Sequence, residues 1–176
     1  FLGLVTDREE ALQNAFELAR HSIELDPKDP LGHMALGRAL LMRREYDHSI
    51  DELETSIRLN PNLAPAQFSL SRTLMAAGIS QRGIEAADIA RRSSPNDPMR
   101  FAMLSVRANC LAQLGEFDEA GKVLEQAATL DSDNRRIMAL LSAVGGNRVE
   151  GQTVEPAGGG EEDEQADFKD NYDEFI

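Results

Sequence analysis

Ile57-Arg58-Leu59-Asn60-Pro61 is the stretch that decides the fold, because it recurs along the chain. The chain reads Ile23-Glu24-Leu25-Asp26-Pro27 34 residues earlier and Arg91-Arg92-Ser93-Ser94-Pro95 34 residues later. A fourth version, Ala128-Thr129-Leu130-Asp131-Ser132, puts Ser132 37 residues after Pro95. Self-similarity at a period of this length marks stacked supersecondary units, each too small to bury its apolar face alone.

Outward from these stops, each period reads as two helices. Asp29 before Pro30 is an N-cap followed by a first-turn proline. Leu36, Leu40 and Leu41 then form an apolar stripe, Arg43-Arg44-Glu45 makes the turn, and Ile50, Leu53 and Ile57 mark the inner face of the second helix. Pro61 stops that helix. Thr6-Asp7-Arg8-Glu9 has capping-box spacing and opens the first helix. Small residues hold register between the copies: Gly37, Ser71 and Ala108; Ala15, Ser49, Gly83 and Ala120; Ser22, Ser56, Ala90 and Ala127. Where paired helices cross, bulky side chains would force them apart, so these positions predict close antiparallel hairpins.

The set Leu36-Gly37, Tyr46, Ser49, Ser56 and Pro61 returns as Leu70-Ser71, Gly78, Gly83, Ala90 and Pro95, and again as Gly115, Phe117, Ala120 and Ala127. It resembles the tetratricopeptide repeat family over roughly residues 6–143. The resemblance implies an all-α, helix-turn-helix repeat solenoid wound as a right-handed superhelix. Its parts would be a partial first repeat in 1–27, three helical hairpins in 28–143, a Gly-rich linker in 144–160 and an acidic-aromatic tail in 161–176. His33, Gln67 and Leu104 stand where the family usually has an aromatic residue. Three extra residues around Pro98–Arg100 are expected to lengthen a helix by nearly one turn, and Arg107 takes a normally apolar place.

A second, weaker likeness rests on Ala19-Arg20-His21-Ser22-Ile23-Glu24-Leu25-Asp26-Pro27 with Leu36-Gly37-Arg38-Ala39, and on the stretch from Ser94 to Arg100 before Leu114-Gly115-Glu116-Phe117-Asp118-Glu119-Ala120. These segments are similar to tetratricopeptide segments attached to bacterial class III adenylate/guanylate cyclases and to winged-helix regulators. That likeness implies, as the alternative function, a C-terminal regulatory or oligomerisation module of such a protein.

Charge and composition exclude several classes. The net charge is −13, and residues 150–176 hold ten acidic side chains against Lys169, which leaves the rest only about four net negative charges. Such a chain repels phosphate backbones and anionic membrane surfaces, so neither nucleic acid nor membrane is an expected partner. With one cysteine, Cys110, there is no internal disulfide, and the cytoplasm is the default location. Cys110 falls in an apolar stretch with Ala108, Leu111 and Leu114 and reads as a buried thiol. His21, His33 and His48 have no metal-ligand spacing and no acid placed to orient them; His33 is expected at a helix start and His48 on a solvated face. No enzyme activity, metal or cofactor is expected.

First helices of stacked pairs line the concave face of a solenoid. By register that face takes Met34, Arg38 and Leu41 from one copy, Phe68, Arg72 and Met75 from the next, and Ser105 and Asn109 from a third. Arg38 and Arg72 share one site in consecutive repeats, with Asn109 next in line. A guanidinium forks onto carboxylates, and Met and Phe supply an adaptable apolar floor. The expected role is a protein-interaction scaffold that binds a peptide bearing an acidic group and an apolar anchor. The plainer reading of Arg38 and Arg72 is pairing with glutamates of a neighbouring helix, or simple solvation. Met34 stands where the family's carboxylate clamp has a cation, which speaks against a chaperone tail as ligand.

Gly158-Gly159-Gly160 reads as a hinge, and the acidic segment beyond it predicts disorder in isolation. Phe168, Tyr172 and Phe175 would share one face if a helix formed on binding. That motif docks on a partner, or back into the Arg38/Arg72 groove; otherwise the tail only solubilises the chain and covers its last repeat. Self-association is left open by the sequence.

Overall fold

A computed structural model describes residues 8–151. Every regular element among them is an α-helix: α1 (Arg8–Leu25), α2 (Pro30–Met42), α3 (Tyr46–Leu59), α4 (Ala64–Ala76), α5 (Ser80–Ser93), α6 (Arg100–Gln113), α7 (Phe117–Leu130) and α8 (Arg135–Gly151). Residues through Pro95 form one compact unit, and those from Asn96 form a second.

Local chemistry sets the helix ends. The Asp29 carboxylate accepts from Leu31 N at 2.9 Å and Gly32 N at 3.2 Å, and Pro30 fills the first turn. These contacts satisfy amides that have no partner inside α2. The turn inside each hairpin closes in one way. Arg44, Gly78 and Gly115 occupy matched positions with φ of 61°, 75° and 78°. The next amide reaches back over each of them: Glu45 N to Leu40 O at 3.0 Å, Ile79 N to Leu74 O at 2.8 Å, and Glu116 N to Leu111 O at 2.9 Å. This is the left-handed helix stop that glycine adopts without steric cost, and Arg44 adopts it with a Cβ.

Hairpins α2–α3, α4–α5 and α6–α7 are the most extensively packed pairs, and α1 lies on α2, α3 on α4 and α7 on α8. Small residues at the crossings allow this. A Cβ added to Gly37 would stand 2.6 Å from Leu53 Cγ. Ser49 Oγ donates to Gly37 O at 2.7 Å and lies 3.0 Å from Thr73 Oγ1, so one hydroxyl ties α3 to both α2 and α4. Ser56 Oγ donates to Pro30 O at 2.7 Å. Between these points Ile50, Leu53, Leu70, Leu74 and Ala86 form one core cluster, while Ala19, Leu36 and Leu40 form another with Phe16 and Ile23 against it. In the second unit Ala108, Cys110, Ala120, Leu124, Ala127, Ile137 and Val144 are among the most deeply buried apolar residues.

Within the first unit α2 touches α4 directly, and within the second α6 touches α8; no comparable contact joins α3 to α5. The first helices of the hairpins therefore form the tighter layer of each unit.

Three features differ from the sequence expectation. The extra residues near Pro98 do not lengthen a helix by a turn. α6 has 14 residues against 13 in α4, and the insertion goes mainly into the connection between Ser93 and Arg100. Pro98 accounts for this, since it holds the residue before it away from helical geometry. α8 runs through Gly145 and Gly146 to Gly151, past the boundary expected after Ala143, because buried Val144 anchors it. His33 lies in the first turn of α2 as expected, but an acid does orient it: the ring is 8% exposed and pairs with Glu52 of α3.

Candidate functional site

In the first unit the layer of α2 and α4 places Arg38 and Arg72 at matched positions of adjacent helices. Arg38 is exposed, whereas Arg72 is half-buried and engaged in contacts of its own. Met34 is half-buried and packs against the Ile50–Leu74 cluster. Leu41, Phe68 and Met75, expected as groove floor, are buried at 4%, 8% and 8% exposure. They form the base beneath the layer, and the outer surface beside Arg38 is made by Leu31, Ala35 and Pro65, all exposed. Register assigns a residue to a layer but not to its depth, which depends on how far the crossing helix covers it.

In the second unit Ser105 Oγ donates to Phe101 O at 2.8 Å within α6. Asn109 Nδ2 donates to Ser105 O at 2.9 Å, while its Oδ1 is buried without a hydrogen-bond partner. A buried amide oxygen without a donor carries a desolvation cost. Arg107 stands at the place of Leu36 and Leu70, and lies 3.9 Å from Glu119 of α7. Phe168, Tyr172 and Phe175 lie outside the described residues.

Sequence reading missed the pair formed by His33 and Glu52. His33 Nδ1 lies 2.6 Å from Glu52 Oε2, and Nε2 lies 3.1 Å from Pro27 O. Both ring nitrogens face acceptors, and only the imidazolium carries a proton on each. Burial by itself lowers the His33 pKa, but the hydrogen bonds to Glu52 and Pro27, with the charges of Glu52 and Asp29, outweigh it and raise the group above 6.5. The signal was in the register, since Leu104 and Val123 are the matched residues of the third hairpin. Cys110 is buried in α6, and desolvation pushes its thiol up to about 12, far from a reactive thiolate. Among the described residues no group of three or more metal-ligating side chains converges, and no helix is long and apolar enough to cross a membrane.

Antiparallel helix pairs, a repeated small-residue crossing and a tight layer of first helices define an all-α helical-repeat protein. Residues 68–135 match the family model of the tetratricopeptide repeat. No curated protein matches the sequence. Among solved structures, MamA (residues 41 to the end) from Desulfovibrio magneticus RS-1 is similar in fold, with a TM-score of 0.71 at 13% identity over 95% of this chain and 86% of that one. The first tetratricopeptide domain of Spaghetti (RPAP3), bound to an HSP90 peptide, has a TM-score of 0.64 at 15% identity over 70% of this chain and 96% of that one. YrrB, described as having an unusual peptide-binding site, gives 0.64 at 14% identity over 76% and 68%.

Proposed function

We propose that the chain is a protein-interaction scaffold that holds a peptide segment of a partner against the outer surface of α2 and α4. The carrying observation is Arg38: it is exposed on the tight layer, with Arg72 at the matched place one helix on and apolar Leu31 and Pro65 exposed in the same layer. A guanidinium in that setting suits a carboxylate whose neighbouring residue is apolar. Spaghetti and YrrB, which share the fold, are both described as binding peptides, and that supports the class of ligand.

A synthetic peptide of residues 161–176, acidic and with aromatic anchors, is the probe. Fluorescence anisotropy with the full chain should show binding that Arg38→Glu weakens at least about tenfold, since an attraction becomes a repulsion. Unchanged affinity with unchanged helicity overturns the assignment of Arg38. Failure of the peptide to bind at all would count against an acidic ligand with an apolar anchor.

A further inference from the structure

The connection into α6 is longer than those into the other first helices. Six residues, 94–99, lie between α5 and α6, against four between α1 and α2, α3 and α4, and α7 and α8. Asp29 caps α2 through Leu31 N and Gly32 N. At the start of α8, Asn134 Oδ1 accepts from Arg136 N at 3.1 Å and Ile137 N at 3.4 Å. Before α6, Asp97 Oδ1 accepts from Met99 N at 2.7 Å, and no side chain caps the helix itself.

A cleft of about 300 Å³ lies here within the second unit, lined by Asn96, Asp97, Pro98, Arg100 and Leu130. Pro98 is exposed and Leu130 is 46% exposed, so part of the lining is apolar and open to a ligand. Arg100 is half-buried, its Nε is shielded from solvent without a hydrogen-bond partner, and no acid among the described residues pairs with it. By contrast, Arg43, Arg82 and Arg107 lie 2.7, 2.6 and 3.9 Å from Glu45, Glu54 and Glu119. The acid nearest to Arg100 in sequence is Asp97, and its Oδ1 is held by Met99 N instead. A half-buried guanidinium has lost part of its hydration, and a carboxylate offers it the strongest hydrogen bonds in return.

We propose that this cleft is a ligand site for a carboxylate carried on a small apolar group, with the acid on the Arg100 guanidinium and the apolar part against Leu130 and Pro98. Asn96 lines the same cleft and supplies an amide donor. Asp97 puts one negative charge in the lining, so charge alone does not hold the ligand and the apolar contact is needed as well. The cleft is at the lower end of the size range of ligand sites, which sets the ligand at about the bulk of one or two residues. No residue of α2 or α4 takes part, so the site stands independently of the peptide surface proposed there.

The probe is N-acetyl-L-leucine, titrated into the full chain and followed by amide NMR shifts. Saturable shifts should appear at Asn96, Asp97, Arg100 and Leu130. Acetate, which lacks the apolar group, and N-acetyl-L-leucinamide, which lacks the charge, should each bind at least about fivefold more weakly. Arg100→Met keeps an aliphatic stem and should weaken binding of N-acetyl-L-leucine at least about tenfold at unchanged helicity. Arg100→Lys keeps the charge without the planar fork and should recover part of that loss. The comparison of the three probes needs no variant, so it decides the matter even if a substitution unfolds the chain. Absence of saturable shifts at these residues up to about 50 mM probe, equal binding of acetate or of the amide, or full binding by folded Arg100→Met overturns the proposal. Shifts near Arg38 report on the α2 and α4 surface and are distinguished residue by residue.

Discussion

His33 and Glu52, 19 residues apart in the chain, meet at 2.6 Å between Nδ1 and Oε2, while the other ring nitrogen of His33 faces the Pro27 carbonyl at 3.1 Å. One imidazole ring thereby ties α2 to α3 and to the turn that follows α1. In the third hairpin the matched residues are apolar, Leu104 and Val123, at 6% and 2% exposure.

The raised pKa of His33 makes the fold pH-dependent. Its folded value lies above the unfolded 6.5, so its contribution is complete below about pH 6.5 and is lost as pH rises through the folded value. Thermal melts should therefore show stability falling as pH rises above about 6.5, by about 1 kcal/mol for a charge-assisted hydrogen bond of this kind. The double variant His33→Leu with Glu52→Val copies the third hairpin and should flatten that part of the profile. An unaltered profile in the double variant would show that His33 does not carry the effect.

Gly37→Ala should destabilise the chain. The added methyl stands 2.6 Å from Leu53 Cγ, a branch point that is wholly buried and cannot swing aside. Overpacking costs about 1–3 kcal/mol, and the better helix propensity of Ala returns up to about 1 kcal/mol. Urea denaturation should show a net loss of about 1–2 kcal/mol, whereas Ala108→Gly, at the matched position, should cost about 1 kcal/mol from propensity alone.

Arg44→Gly should stabilise the first hairpin. Arg44 holds φ at 61° where the matched turns use Gly78 and Gly115. Removing the Cβ relieves about 1 kcal/mol of left-handed strain, and the midpoint of unfolding should rise accordingly. The converse change, Gly78→Arg, should lower it by a similar amount.

Cys110 should resist alkylation in the native state. It has no exposure, and burial pushes the thiol up to about 12. Iodoacetamide labelling at pH 8 should proceed only through opening of α6, so its rate should track added urea and approach that of the unfolded chain above the transition. Rapid native labelling would mean that α6 opens far more readily than its packing implies.

The sequence by itself determined the period, the helix-turn-helix alternation and the Asp29 cap, while Thr6 and Asp7 of the expected capping box lie outside the described residues. A proline after a helix, a carboxylate before one and a left-handed turn residue act within about one turn of the backbone, and each is written where it acts. That is why Asp29, Gly78 and Gly115 do what their residue types and places in the period announce. Leu41, Phe68 and Met75 show where such reading ends. Register put them on the layer of first helices, and only packing decided that they lie buried while Arg38 is exposed. The His33–Glu52 pair and the buried, partnerless amide oxygen of Asn109 belong with them. Each arises from how close two helices come and what covers them, and those distances are set by contacts between residues a dozen or more positions apart.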